Sequence, residues 1–185
     1  MKKIIIALVV SIFFVNCQSE SPYQISKNSL GKLTAHSTVQ EVESLFPNDS
    51  VVRTNLSNRF KTQKQDIEIY NKEGQLLAVL EPRKNNDSTS TFKQARVVGE
   101  VFKTNKGFGP KSTFKDMYEN YTISSIQNAI SNVIVSVDEL GIYASINKKH
   151  LPAELRYDLD LSINETQIPD DAPFQYFWLS FEKEE

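Results

Sequence analysis

The segment Lys106-Gly107-Phe108-Gly109-Pro110-Lys111-Ser112-Thr113 carries the residue types of a turn that grips an anion. Glycines let the backbone come close to a phosphate or carboxylate. Amides at the start of a helix point towards it, and Lys followed by Ser or Thr adds charge and a hydroxyl. The spacing differs from a nucleotide-triphosphate loop, which requires glycine at the places of Asn105 and Pro110. Proline, moreover, has no amide to donate. Two readings stay open. Gly107, Gly109, Lys111, Ser112 and Thr113 hold a small anion such as a carboxylate or sulfate, or they form a tight turn ending in a helix N-cap.

The remaining polar residues do not assemble a reaction centre. His36 and His150 are 114 positions apart, have no His or Cys neighbour, and read as exposed loop residues. Asp158-Leu159-Asp160-Leu161-Ser162 opens like a calcium loop, but Ile163 stands at the obligatory glycine and Pro169 at the closing glutamate. The alternation is instead that of a strand's polar side. No Gly-x-Ser-x-Gly elbow is present. Glu41 and Asp116 fit the first turns of helices, where the dipole favours acids. No catalytic residue, metal ligand or cofactor is therefore assigned. In the last strand, alternation turns Phe177 inward and leaves Tyr176 and Trp178 on the opposite side. There they either anchor a partner protein or glycan or lie beneath another part of the chain.

The amino terminus carries a different chemistry. Lys2 and Lys3 precede an apolar stretch from Ile4 to Val15, and Asn16-Cys17 follow. A basic start and a short apolar core are signal-peptide features, and the stretch falls short of the ~20 residues that span a bilayer. Phe14-Val15-Asn16-Cys17 resembles a bacterial lipobox of the looser kind found in Bacteroidota, with Asn16 where Gly, Ala or Ser is commonest and Phe14 where Leu is usual. The resemblance implies that the Cys17 thiol receives a diacylglyceryl group and that Cys17 becomes the first mature residue. Several acyl chains then give a stable anchor. It also implies outer-membrane anchoring, because Gln18 is not the Asp that retains enterobacterial lipoproteins at the inner membrane. The periplasmic and surface sides both stay open. An ordinary cleaved signal with a chance cysteine is the alternative.

Two stretches 75 positions apart are built alike. Ser37-Thr38-Val39-Gln40-Glu41-Val42 and Ser112-Thr113-Phe114-Lys115-Asp116-Met117 each offer an N-cap and a capping-box spacing. Val39, Val42, Leu45 and Phe46 share one helical side, as do Phe114, Met117, Tyr118 and Tyr121. After each helix the period becomes two. Ile67 and Ile69, a turn at Glu73-Gly74, and Leu76 to Leu80 read as one hairpin. Val133 to Val137, a turn at Glu139 to Gly141, and Ile142 to Ile146 read as another. A strand then closes each half, through Val97, Gly99 and Val101 or through Phe177, Leu179 and Phe181. Leu155 to Ile163 also alternates and reads as a further, half-buried strand.

The expected fold is thus α+β: two similar repeats, each a short helix followed by antiparallel strands, forming one sheet or two packed sheets. The division is a signal peptide over 1–16, a tether over 17–29, a first repeat over 30–103 and a second over 104–185. The chain resembles uncharacterised small lipoproteins of Bacteroidota with paired Gly-Phe-Gly-Pro-Lys-Ser-Thr-like helix starts. In element order it is also similar to the BamE-type assembly lipoproteins and the β-lactamase-inhibitory protein.

Composition bounds the function. The 185 residues suit one domain or two small units sharing a core. One Cys excludes a disulfide framework and a cysteine zinc site. With 21 Lys and Arg against 23 Asp and Glu, no basic excess points to nucleic acid. Removing residues 1–16 leaves 19 against 23, a net charge of −4 over 169 residues. The expectation is a membrane-anchored envelope lipoprotein with a non-catalytic binding or scaffold domain and an envelope protein or glycan as partner. A carboxylate-dependent hydrolase of glycan or peptidoglycan, and an inhibitor or assembly accessory, are the alternatives. The sequence assigns no oligomeric state.

Overall fold

The structure, a computed structural model, describes residues 21–57 and 63–182. Cys17 and the signal segment lie outside the described residues. The chain begins with three two-residue strands, β1 (Ile25–Ser26), β2 (Ser29–Leu30) and β3 (Leu33–Thr34), paired antiparallel. Such tight connections need left-handed backbone, supplied by Asn28 at φ 58° and Gly31 at φ 59°. A Cβ on Gly31 would also meet the Pro22 carbonyl oxygen at 2.1 Å. Ile25, Leu30 and Leu33 are fully buried, so ordered structure reaches back into the span assigned above to a tether.

A 3-10 turn (Val39–Glu41) then runs into α1 (Val42–Leu45). Four strands follow: β4 (Ser50–Ser57), β5 (Gln63–Tyr70), β6 (Leu76–Pro82) and β7 (Phe92–Val97). The second half gives α2 (Phe114–Asn120), β8 (Ser125–Asn128), β9 (Asn132–Val137), β10 (Ile142–Asn147) and β11 (Phe174–Ser180). These eight strands make one antiparallel sheet in the order β4-β5-β6-β7-β11-β10-β9-β8. The fold is therefore α+β in the loose sense, dominated by strands, with two antiparallel sheets. Among the described residues no helix is long and apolar enough to cross a membrane.

Both helices are fixed by the same local chemistry. The Glu41 carboxylate accepts from the Thr38 N–H at 2.7 Å, and that of Asp116 from the Thr113 N–H at 2.7 Å. One turn earlier, Ser37 Oγ accepts from the Thr34 N–H at 3.0 Å and Ser112 Oγ from the Gly109 N–H at 3.1 Å. Each helix start then docks on the loop before its half's last strand. Val39 N–H donates to Ser90 O and Phe114 N–H to Ala172 O, both at 3.0 Å. Tyr118 ties α2 to the same loop by donating to Asp170 at 2.8 Å, which pushes its phenol up to about 12.

Alternation sends one side of the large sheet into the core. Val133, Val135 and Val137 of β9, Ile67 and Ile69 of β5, and Phe177 and Leu179 of β11 are at most 1 % exposed. The helices, the small sheet and the connecting loops cover them with Val42, Phe46, Phe102, Phe108, Phe114 and Met117. Antiparallel sheets commonly keep one side in water, and here the opposite side is only partly buried along β9.

Two expected strands are corrected. The strand closing the first half spans Phe92–Val97, so Val101 lies outside it, 46 % exposed. The ladder ends because the Val98 and Gly99 amides both donate to the Leu77 carbonyl, at 2.9 and 2.8 Å. Leu155 ends a 3-10 turn (Ala153–Leu155) and 156–163 is a loop, with Tyr157 85 % and Leu159 51 % exposed. Asp160 N–H donates to its own neighbour's carboxylate, Asp158 Oδ1, at 2.9 Å, and such an Asx turn breaks an extended chain. The Asn128 side chain, rather than a strand, then caps the carbonyls of Asp158 and Leu161, each at 2.9 Å.

Candidate functional site

The Gly107–Thr113 loop is folded around its own amides. Lys106 and Phe108 N–H donate to Thr104 Oγ1, Gly107 N–H to Thr104 O, and Gly109 N–H to Ser112 Oγ. Ser112 N–H returns to Gly109 O, and Thr113 N–H caps on Asp116. An anion cradle needs those donors free. The loop is instead a tight turn closing on an N-cap, with Gly107 at φ 78°. The side chains of the nearby lysines remain outside this network. Lys103, Lys106 and Lys111 line a cleft of about 240 Å³ with Asp116 and Asn120.

The second predicted cluster lies on the side of the sheet turned away from the core, where Arg96, Trp178 and Tyr143 are half-buried and Tyr176 is exposed. Cross-strand register aligns Glu68, Val79, Arg96, Trp178, Tyr143 and Ser136 in one row across β5, β6, β7, β11, β10 and β9. Trp178 and Tyr143 stack with ring planes 6° apart and centroids 6.0 Å apart. The Tyr143 hydroxyl donates to Gln94 Oε1, and Gln94 Nε2 donates to Glu81 Oε2 at 2.7 Å. Burial, then the nearby Glu81 carboxylate, raises the Tyr143 phenol above its ordinary value, which keeps it a donor. Tyr176 stands two residues before Trp178 on the same side and is 43 % exposed.

The two clusters meet. Lys111 and Tyr176 line a common cleft of about 110 Å³ with Arg96, Phe174 and Gln175. Its floor rests on a rigid aromatic group, for Phe108 lies 5.9 Å from Phe174 and 5.4 Å from Phe177, ring to ring. The result is a strip running from Lys111 past Tyr176 and Arg96 to Trp178, Tyr143, Gln94 and Glu81. It combines two cations, three aromatics with polar tips, an amide and a carboxylate. Such a strip binds and orients. It holds no nucleophile paired with a base. Thr113 stays on the helix cap and outside both clefts.

Arg96, Tyr143, Gln94 and Glu81 went unpredicted because only register brings them beside Trp178. The outward place of Tyr143 between Ile142 and Ala144 was the available signal. His36 and His150 are exposed, at opposite halves of the chain. Among the described residues no three His, Cys, Asp or Glu side chains group to hold a metal ion. Of the two clefts above, the strip's has no carboxylate in its lining, and the other has Asp116 alone.

No family model matches this chain, and no curated protein matches it. In three dimensions it is similar to the crystal structure of the uncharacterized protein yfeY from Escherichia coli. The TM-score is 0.54 at 14% identity, over 85% of this chain and 99% of that one. At that identity the likeness is one of fold.

Proposed function

We propose that this chain is a non-catalytic binding lipoprotein of the bacterial outer membrane, anchored through Cys17, whose uncovered sheet side docks a partner protein of the envelope. The observation that carries the reading is the strip of Tyr176, Arg96, Trp178 and Tyr143 on that side. Trp, Tyr and Arg are the residues that dominate protein interfaces. The Trp178 and Tyr143 rings lie parallel with centres 6.0 Å apart. A protein partner is favoured over a glycan because Arg96 stands in the same cross-strand row, and Arg joins Trp and Tyr as a protein-interface anchor.

The two halves are, in this reading, repeats of one unit, as in the small lipoproteins that the helix starts resemble. Support comes from paired details 75 positions apart: the Ser37 and Ser112 hydrogen bonds, the Thr38–Glu41 and Thr113–Asp116 boxes, and the matching dockings of Val39 and Phe114. Four antiparallel strands follow each helix, and the last strands, β7 and β11, join the halves at the centre of the sheet.

Site-specific photo-crosslinking in cells tests the function. A crosslinker at Tyr176 yields a discrete adduct with one envelope protein, lost when Trp178→Ala and Tyr143→Ala are added. A crosslinker at exposed Ser44 on α1 does not. Equal adducts from both positions would refute the docking side. Cys17→Ser removes the lipid label and releases the protein from the membrane; retention of both would refute the anchor.

A further inference from the structure

We infer that the end of the domain where the amino-terminal segment leaves is a membrane-facing surface, on which Lys103, Lys106 and Lys111 receive the phosphates of anionic lipids. This rests on the reading of Cys17 as the anchor. The first described residues are pinned beside Lys103. Ile25 N–H donates to Lys103 O at 2.8 Å and Lys103 N–H to Tyr23 O at 3.2 Å, while the Tyr23 ring packs edge-on against Phe102 at 5.3 Å. From Cys17 to Pro22 is a reach of at most ~17 Å for an extended chain. A lipid on Cys17 therefore brings this end of the domain, and no other, to the headgroups.

The charge at that end suits them. The cleft of about 240 Å³ is lined by three lysines and one acidic residue, Asp116, on a mature chain with net charge −4. Lys106 is held in place, donating to the Asn120 carbonyl and lying 4.5 Å from the centre of the Tyr121 ring. Gly109 keeps the Lys111 loop against the Lys103 backbone, since a Cβ there would meet Phe102 O at 2.4 Å. A fourth lysine, Lys32, lines the neighbouring cleft with Pro22 and Tyr23. Val101, 46 % exposed, sits two residues before Lys103 as an apolar contact for the interface. Glu100 flanks it, and Asp49 is engaged by the Tyr23 hydroxyl at 3.0 Å. Cations near an anionic leaflet each contribute about fivefold in binding, and the effect is screened within about a Debye length. The surface therefore acts only because the tether is short.

The test uses the full lipidated chain in vesicles of phosphatidylcholine, with or without phosphatidylglycerol, and measures acetylation rates lysine by lysine. Mass analysis of the Cys17 peptide and retention on pure phosphatidylcholine vesicles report on the anchor separately. The expected result is several-fold slower labelling of Lys103, Lys106 and Lys111 with phosphatidylglycerol, reversed by high salt, and unchanged labelling of Lys84 beyond the far end of β6. A Lys106→Gln, Lys111→Gln variant keeps its anchor and loses the protection of Lys103. Equal labelling in both vesicles would overturn the inference while leaving the anchor standing. So would equal protection by inorganic phosphate alone, which would make the cleft a site for a free anion.

Discussion

Lys148 is 4 % exposed, and its Nζ has no hydrogen-bond partner among the described residues. Asn128 Oδ1 and Asn132 Oδ1 are likewise buried and unbonded. An ammonium without partners inside a domain is costly, and replacing a buried charge by an apolar side chain of similar length is often stabilising. Lys148→Met is expected to raise stability by about 1–3 kcal/mol, read as a higher denaturant midpoint with unchanged slope. A lower midpoint would mean that the ammonium satisfies groups the native fold depends on. Nothing in the sequence marked this residue. Lys usually snorkels to water, and here the turn Lys148–His150 holds the side chain buried instead. The common side of Tyr176 and Trp178, by contrast, follows from alternation about the buried Phe177, although only Tyr176 is exposed there and Trp178 is half-buried.

At the scale of elements, the capping boxes account for why so short a 3-10 turn and four-residue α1, and the seven-residue α2, form at all. Thr38→Ala and Thr113→Ala should each cost about 1 kcal/mol in thermal or denaturant unfolding. Similar losses support the equivalence of the two halves; a large cost at one and none at the other would count against it. The Thr38 backbone N–H, then its hydroxyl, hold the Glu41 carboxylate below its ordinary value. A lowered native value contributes stability above the unfolded value of about 4.5 and loses it as pH falls through the lowered one. Glu41→Gln should therefore flatten the acid side of the stability profile; an unchanged profile would contradict the box. Helices and central hairpins were readable because their periods of 3.6 and two differ. The edge strands β4 and β8 were not, for neither contributes a long apolar row. The Leu155–Ile163 alternation misled because Asx chemistry at Asp158 outweighed it.

At the scale of the whole molecule, the described residues form an eight-stranded sheet, with one side in the core and the other more open, beside a small three-stranded sheet. The sequence suggests the proposed anchor, through the single cysteine and the apolar stretch before it, which lie outside the described residues. It could not show that Tyr176, Arg96, Trp178 and Tyr143 would share a surface, since their adjacency depends on β7, β10 and β11 meeting across long loops. That surface is the central claim, and hydroxyl-radical footprinting in isolated envelopes tests it most directly. Oxidation of Tyr176, Trp178 and Tyr143 should fall several-fold relative to the purified protein in detergent, while Tyr157, 85 % exposed on the long loop, reacts equally in both. Equal oxidation of the aromatic strip in envelopes and in detergent would contradict a docked partner.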